Sequence, residues 1–339
     1  MKNSVLFLNG EFWGMYIIQE KIDNNFISRN YLIPKDNVVI AKSNFIEDGP
    51  IEYFSEFQQF CRNYSQKDLS NKEIYEEIKN KIDIDSLIEL FAANLYILNF
   101  DWPARNDGEW KNFGEPIEGN KFSDGKWRFI IFDLDYTMGA QYFGVGSPDV
   151  DNFKSLQDRS KLKQAPVNLI QGLLINNTDF KYKFVNIYCD YYNDIYNIDK
   201  VNKLLEEYKK EYTEIAAYSL LRWCEKNYDS ILEGYSFYKL NFTKGLNSVH
   251  NFFEQRPKFT FQHMKEFLGL KGDLVELTIE VKEEGEGQIQ INSIIPKIIN
   301  GKWTGKYFSK IPLNIRAISS QGYKFKEWSG IVHSDKDNI

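Results

Sequence analysis

The sequence predicts an α+β fold with a strand-rich start, a long helical middle and a small all-β end. Three observations predict it. The first 23 residues read as two alternating strands around Asn9-Gly10, the strongest short-range hairpin signal. From Pro166 to about residue 270, apolar residues recur at helical spacing almost without a break. Beyond Lys271-Gly272-Asp273 the period changes to two, with β-type residues and turn signals.

Taken in order, the hairpin is followed by a short helix that Asp23 caps and Pro34 stops, then a strand over 37–41 that leads to Lys42. Pro50 opens a helix running to about Tyr64, and Ser70 with Glu73 has the spacing of a capping box for the next one. A helix over 85–99 carries Leu87, Ile88, Phe91, Leu95 and Leu98 on one face, so it is a core helix that delivers the loop after it. Residues 127–132 read as a buried strand, and 139–160 as a glycine-containing loop with little periodicity. The helical middle includes a long helix over 199–227. The tail predicts one hairpin turning at 284–287 and a second strand pair around Gln321-Gly322.

Composition narrows the function classes. The 339 residues suit a domain over 1–271 and a small β-module over 273–339 that folds on its own. With 42% hydrophobic and 16% aromatic residues there is ample core. A net charge of -6 and the lack of a long basic run argue against nucleic acid as a partner. Cys61, Cys189 and Cys224 are odd in number and far apart, which suits core thiols. His250, His263 and His333 are too few for a histidine-based zinc site or triad. No stretch has the length of a transmembrane segment, and no basic-then-apolar leader precedes the first strand.

The chemistry concentrates in residues 101–135. The loop after the core helix carries Asp101 and Asn106 five positions apart, and the apolar run 127–132 ends in Asp133 and Asp135. Phosphoryl transfer wants these groups: a carboxylate to orient the acceptor hydroxyl and take its proton, an amide for a metal ion, and an acid on a following strand for the Mg2+ on the phosphates. The competing reading makes Asp101 a turn cap, Asn106 part of an Asx-turn and the acid pair a solvated flank.

Five segments in the right order resemble the CotH (spore-coat protein H) family of atypical kinases. LNGEFWGMYIIQEKID is similar to the family's LNGEYWGxYxLxExID, NFDWPARNDGEWK to its N-W-D-W-P-x-N-N…W-R loop, and GKWRFIIFDLDYTMG to its K-W-R…D-x-D…F-G strand. LLINNTDFKYKF and FFEQRPKFTFQHMKEFLGL resemble its later helices, so the likeness runs roughly over 5–270. It implies an atypical protein-kinase-like fold, mostly the helical C-lobe with the end of the N-lobe sheet. It also implies ATP with Mg2+ or Mn2+, and a protein substrate with a Ser or Thr acceptor, on a spore coat, a cell surface or a secreted protein. Residue by residue, Asp101 would be the base, and Asn106, Asp133 and Asp135 the metal ligands. Glu20 falls on the acid of the ExID segment and Lys42 on the Lys of the LYK segment, both beside the nucleotide. Arg105 stands where the family has the first of two amides, a cation that would contact phosphate or simply change the loop. The family begins upstream of LNGEYWG, so the resemblance also implies that part of the nucleotide lobe is missing here, with weak ATP binding until it is restored. The tail resembles β-repeats with a GYxFxxWSG signature on bacterial surface proteins. Two other functions compete: a catalytically idle surface or coat-associated binding protein, and a carbohydrate-active enzyme with Trp102, Trp110 and Trp127 in an aromatic cleft.

Overall fold

The computed structural model describes residues 2–103, 105–139, 146–159, 165–224, 228–282 and 285–339. Strand β1 (Lys2–Leu8) pairs antiparallel with β2 (Glu11–Ile18) across the Asn9-Gly10 turn, both residues at positive φ. This hairpin forms a sheet of its own and packs against one long helix described below. Helix α1 (Asn24–Tyr31) starts at Asp23, whose carboxylate accepts from the Asn25 and Phe26 amides, a cap worth about 1 kcal/mol. It ends on Leu32 in the left-handed conformation.

β3 (Val38–Lys42) and β4 (Phe45–Asp48) form a tight pair, and the sheet grows from there. Helices α2 (Ile51–Tyr64) and α3 (Lys72–Lys81) follow. The cap of α3 is Asn71, which accepts from Glu73 and Ile74, whereas Ser70 turns back to Asp68. The expected Ser70 box is therefore displaced by one residue, because an Asx side chain directly before the first turn outcompetes a serine one position earlier. α4 (Ile84–Tyr96) is the core helix, capped by Asp83 and buried over most of its length. It stops earlier than expected. Leu98 turns left-handed and Asn99 donates to the Asn94 carbonyl.

β5 (Gly108–Asn112) and β6 (Arg128–Phe129) complete a four-stranded sheet of order β4-β3-β5-β6. Only two residues of the expected 127–132 strand join the ladder, and Ile131 is exposed. The sheet is covered on both faces. Val38, Ile40 and Trp110 face α1, while Val39 and Ala41 face α2, as the two-residue side-chain period requires.

Within the expected loop 139–160, residues 152–159 form α5 (Asn152–Arg159); residues 140–145 and 160 lie outside the described part. Asp151 caps α5, and Phe153 is fully buried, so a single apolar anchor with a cap makes a helix where periodicity over a longer window is weak. α6 (Ala165–Asn176), α7 (Thr178–Asp190), a π-helical turn at Tyr191–Ile195, α8 (Ile198–Trp223) and α9 (Ile231–Leu268) make the helical middle. The helix expected over 199–227 closes at Trp223, and 225–227 fall outside the described residues. Cys61 and Cys189 are buried thiols and Cys224 is half-buried; all three are free.

The tail consists of β7 (Leu274–Glu280), β8 (Gly287–Ile291), β9 (Lys302–Phe308) and β10 (Ile315–Ser319). Neither expected hairpin forms. β7 pairs with β9 and β8 with β10, and residues 320–327 make no strand. Alternation marks a strand but carries no information on its partner. The proposed turn at 284–287 lies partly outside the described residues. These strands share one core with the helices: Ile279, Ile291, Tyr307 and Phe308 belong to the cluster that holds Phe184 and Tyr188. At the centre of the junction Asp190 accepts from the Ser293 amide and hydroxyl, Asn292 and Tyr307 at 2.9, 2.6, 3.2 and 2.8 Å.

Candidate functional site

Two irregular segments are zipped together beside the end of the sheet. Phe100 N donates to the Tyr136 carbonyl at 3.2 Å and Met138 N to the Ile97 carbonyl at 2.8 Å. That pairing brings the loop after α4 against residues 133–138. The loop is braced from beneath. Trp102 is 2% exposed and packs edge-on to Phe91 of α4 at 4.4 Å, while Asn99 accepts from Trp102 N and donates to Asn94. Trp102, Trp110 and Trp127 are all buried core residues.

Asn106 is buried and left-handed at φ 59°, and its side-chain nitrogen donates to the Asp133 carbonyl at 3.3 Å. The amide oxygen is then the remaining end. Asp133 is also left-handed, at φ 54°. Conformations of this kind cost roughly 1–3 kcal/mol each and cluster where function over-determines the backbone. A hydrogen bond from the neighbouring Asp135 carboxyl, then burial, then the negative charges of Asp135 and Asp101 hold the Asp133 carboxyl above its ordinary range. Asp101 likewise raises the Tyr136 hydroxyl, behind burial as the first cause. Two neighbouring acids, Asp135 and Asp101, thus bear on the Asp133 carboxyl.

The remaining expected residues sit differently. Lys42, at the end of β3, donates to the Ile22 carbonyl and lies 5.8 Å from the centre of the Phe132 ring, next to Asp133. Its charge also helps hold Glu47 ionised, behind the direct Lys21–Glu47 contact. Arg105 is exposed, and its amide donates to the Asp101 carbonyl at 2.8 Å. Glu20 is not drawn into this group; it pairs with Arg29 of α1 on the surface. A cavity of about 550 Å3 between the first turn of α4 and β6 is lined by Trp110 but by none of the residues expected to hold nucleotide or metal.

A family model described as CotH kinase protein matches residues 3–260. The chain belongs to the CotH kinase family. Comparison with curated proteins and with solved structures finds no match. The CotH match spans the hairpin, the sheet, the two zipped segments and most of α9, and it ends before the β-strands of the tail. Family membership carries kinase-type chemistry with ATP and a divalent metal in general terms.

The oxygen donors of this CotH domain suit a hard divalent cation. Among the described residues no three His, Cys, Asp or Glu side chains form a ready-made metal cluster.

Sequence reasoning missed three supports. Arg256 of α9 is fully buried and donates to the carbonyls of Leu95, Tyr96, Pro148 and Val150, gripping the end of α4 from which the loop springs. Its one signal was a cation on an apolar helix face. Asp107, just before β5, and Glu109 within it each have one carboxylate oxygen buried and without a partner. Burial, then the charge of Asp107, pushes Glu109 far above the usual carboxylate range, and burial pushes Asp107 up to about 6. The alternation Asp107-Gly108-Glu109 was visible, but not its burial. Ser43, at the turn between β3 and β4, accepts from the Asn106 amide.

Proposed function

We propose that this protein is a metal-dependent protein kinase that transfers the γ-phosphoryl group of ATP to a Ser or Thr hydroxyl of a coat or surface protein. The observation that carries the reading is the meeting of Asn106 with Asp133 at 3.3 Å, with Asp101 and Asp135 close enough to shift the Asp133 carboxyl. When bound there, Mg2+ or Mn2+ would neutralise charge on the nucleotide phosphates. Asn106, Asp133 and Asp135 would hold it. Asp101, on the loop that α4 delivers, would orient the acceptor hydroxyl and accept its proton. Lys42 and Arg105 supply the positive charge on the approach to the acids, and their role is to orient phosphate oxygens.

A catalytically idle binding protein is the second reading. Arg105 favours it, because a cation stands where relatives in the family carry an amide. Calorimetric titration of ATP with and without Mn2+ separates the two. Wild type should bind ATP with metal dependence. Asp133→Ala should lose that dependence, and Asp101→Ala should keep it while losing transfer to protein. Equal ATP affinity in wild type and Asp133→Ala would remove Asp133 from the metal site, and metal-dependent binding without transfer to any protein would favour the idle binder.

A further inference from the structure

Asn106 is held by more than its own loop. Its amide donates to the Ser43 hydroxyl at 3.2 Å, and the Ser43 amide donates to the Asp107 carbonyl at 2.8 Å. The residues are 63 positions apart, and the two bonds grip Asn106 and Asp107 from one side. The grip has a firm base. Ser43 follows directly on β3, whose Val38, Val39, Ile40 and Ala41 are at most 1% exposed, and whose last ladder pair is Lys42 with Gly108. Beyond that pair the ladder ends, and Asn106 turns left-handed with φ 59°. Asparagine adopts this conformation more readily than most residues other than glycine. The Ser43 bonds fix the main chain, and the bond to Asp133 then fixes the side chain with its oxygen end free.

We propose that Ser43 is a positioning residue for the cation-binding loop: its hydroxyl holds the Asn106 main chain so that the Asn106 amide oxygen stays in place for a divalent cation. The inference rests on the kinase reading insofar as it takes Asn106 for a ligand. Ser43 acts through the main chain of Asn106 and Asp107. Ser43 is itself left-handed at φ 48°, so two substitutions separate the hydroxyl from the backbone. Ser43→Ala removes the hydroxyl and keeps the strain. Ser43→Gly removes the hydroxyl and relieves the strain.

The test uses the full chain and Mn2+ as the probe, read from the paramagnetic resonance signal of the free ion with and without ATP. Losing one neutral hydrogen bond corresponds to about five-fold in an equilibrium constant. Both variants should therefore bind Mn2+ about five-fold more weakly than wild type, although Ser43→Gly melts at or above the temperature of Ser43→Ala. Hydrogen exchange at the Asn106 amide should quicken by a similar factor in both. Mn2+ affinity that follows melting temperature, with Ser43→Gly restored to wild type, would overturn the proposal. So would exchange at Asn106 unchanged from wild type. Failure of the wild type to bind Mn2+ would instead sink the kinase reading and the cation half of this inference, while the exchange measurement still decides whether Ser43 holds Asn106.

Discussion

Replacing Arg256 by methionine tests whether the loop is held from the far side of the molecule. Met keeps much of the stem's apolar volume but removes the donors to the Tyr96, Pro148, Val150 and Leu95 carbonyls, which lie at 3.0, 2.8, 2.7 and 3.1 Å. A hydrogen bond from a charged donor contributes about 1.5–3 kcal/mol, so four contribute roughly 6–12 kcal/mol. Burying the guanidinium itself costs several kcal/mol, a cost that the substitution also removes, leaving a net loss of about 3–5 kcal/mol. Unfolding entropy of about 2.1 cal/mol/K per residue makes roughly 0.7 kcal/mol/K for a chain of this length, so Tm should fall by about 4–7 °C. Arg256→Lys keeps the charge but not the planar fork, and should fall in between. Scanning calorimetry measures both. A Tm for Arg256→Met within about 1 °C of wild type would refute the reasoning, because it would mean that the four carbonyls find other donors. Mn2+ affinity should fall with Arg256→Met as well, since the end of α4 sets the position of the loop.

Two more outcomes follow from buried acids. Glu109 and Asp107 have folded pKa values above their unfolded ones, so the stability they contribute is complete below about pH 4 and is lost as pH rises through their folded values, about 6 for Asp107. Glu109→Gln should flatten that decline and gain on wild type in stability as pH rises from 4.5 to 8; thermal melts across this range would contradict the account if the two proteins declined in parallel. Asp190→Ala should cost about 3–4 kcal/mol, because Ser293, Asn292 and Tyr307 all lose their acceptor. Deleting residues 273–339 should lower the melting temperature of the helical part, since it uncovers the Phe184 and Tyr188 side of the core; an unchanged transition would show that the tail is energetically separate.

Local rules acting on neighbours in sequence were legible from the chain alone. The Asn9-Gly10 turn, the Asp23 cap, the Pro50 start of α2 and the apolar face of α4 all depend on residues within one or two turns of one another. So did the order of the segments that resemble CotH kinases, and with it the choice of Asp101, Asn106 and Asp133 as candidates. What the chain alone left open was every relation between distant segments. The pairing of β7 with β9 and β8 with β10, the grip of Arg256 on α4 and of Ser43 on Asn106, and the burial of Glu109 join residues tens to hundreds of positions apart. Glu20 shows the same limit from the other side: its segment aligns with the family, yet Arg29 nine positions away takes its carboxylate at the surface. Periodicity reports which face of an element is apolar, but only packing decides what that face meets. The chemistry at Asp133 depends on that meeting, because its carboxyl is shifted by Asp135 two residues away and by Asp101 from a loop that tertiary contacts alone bring near.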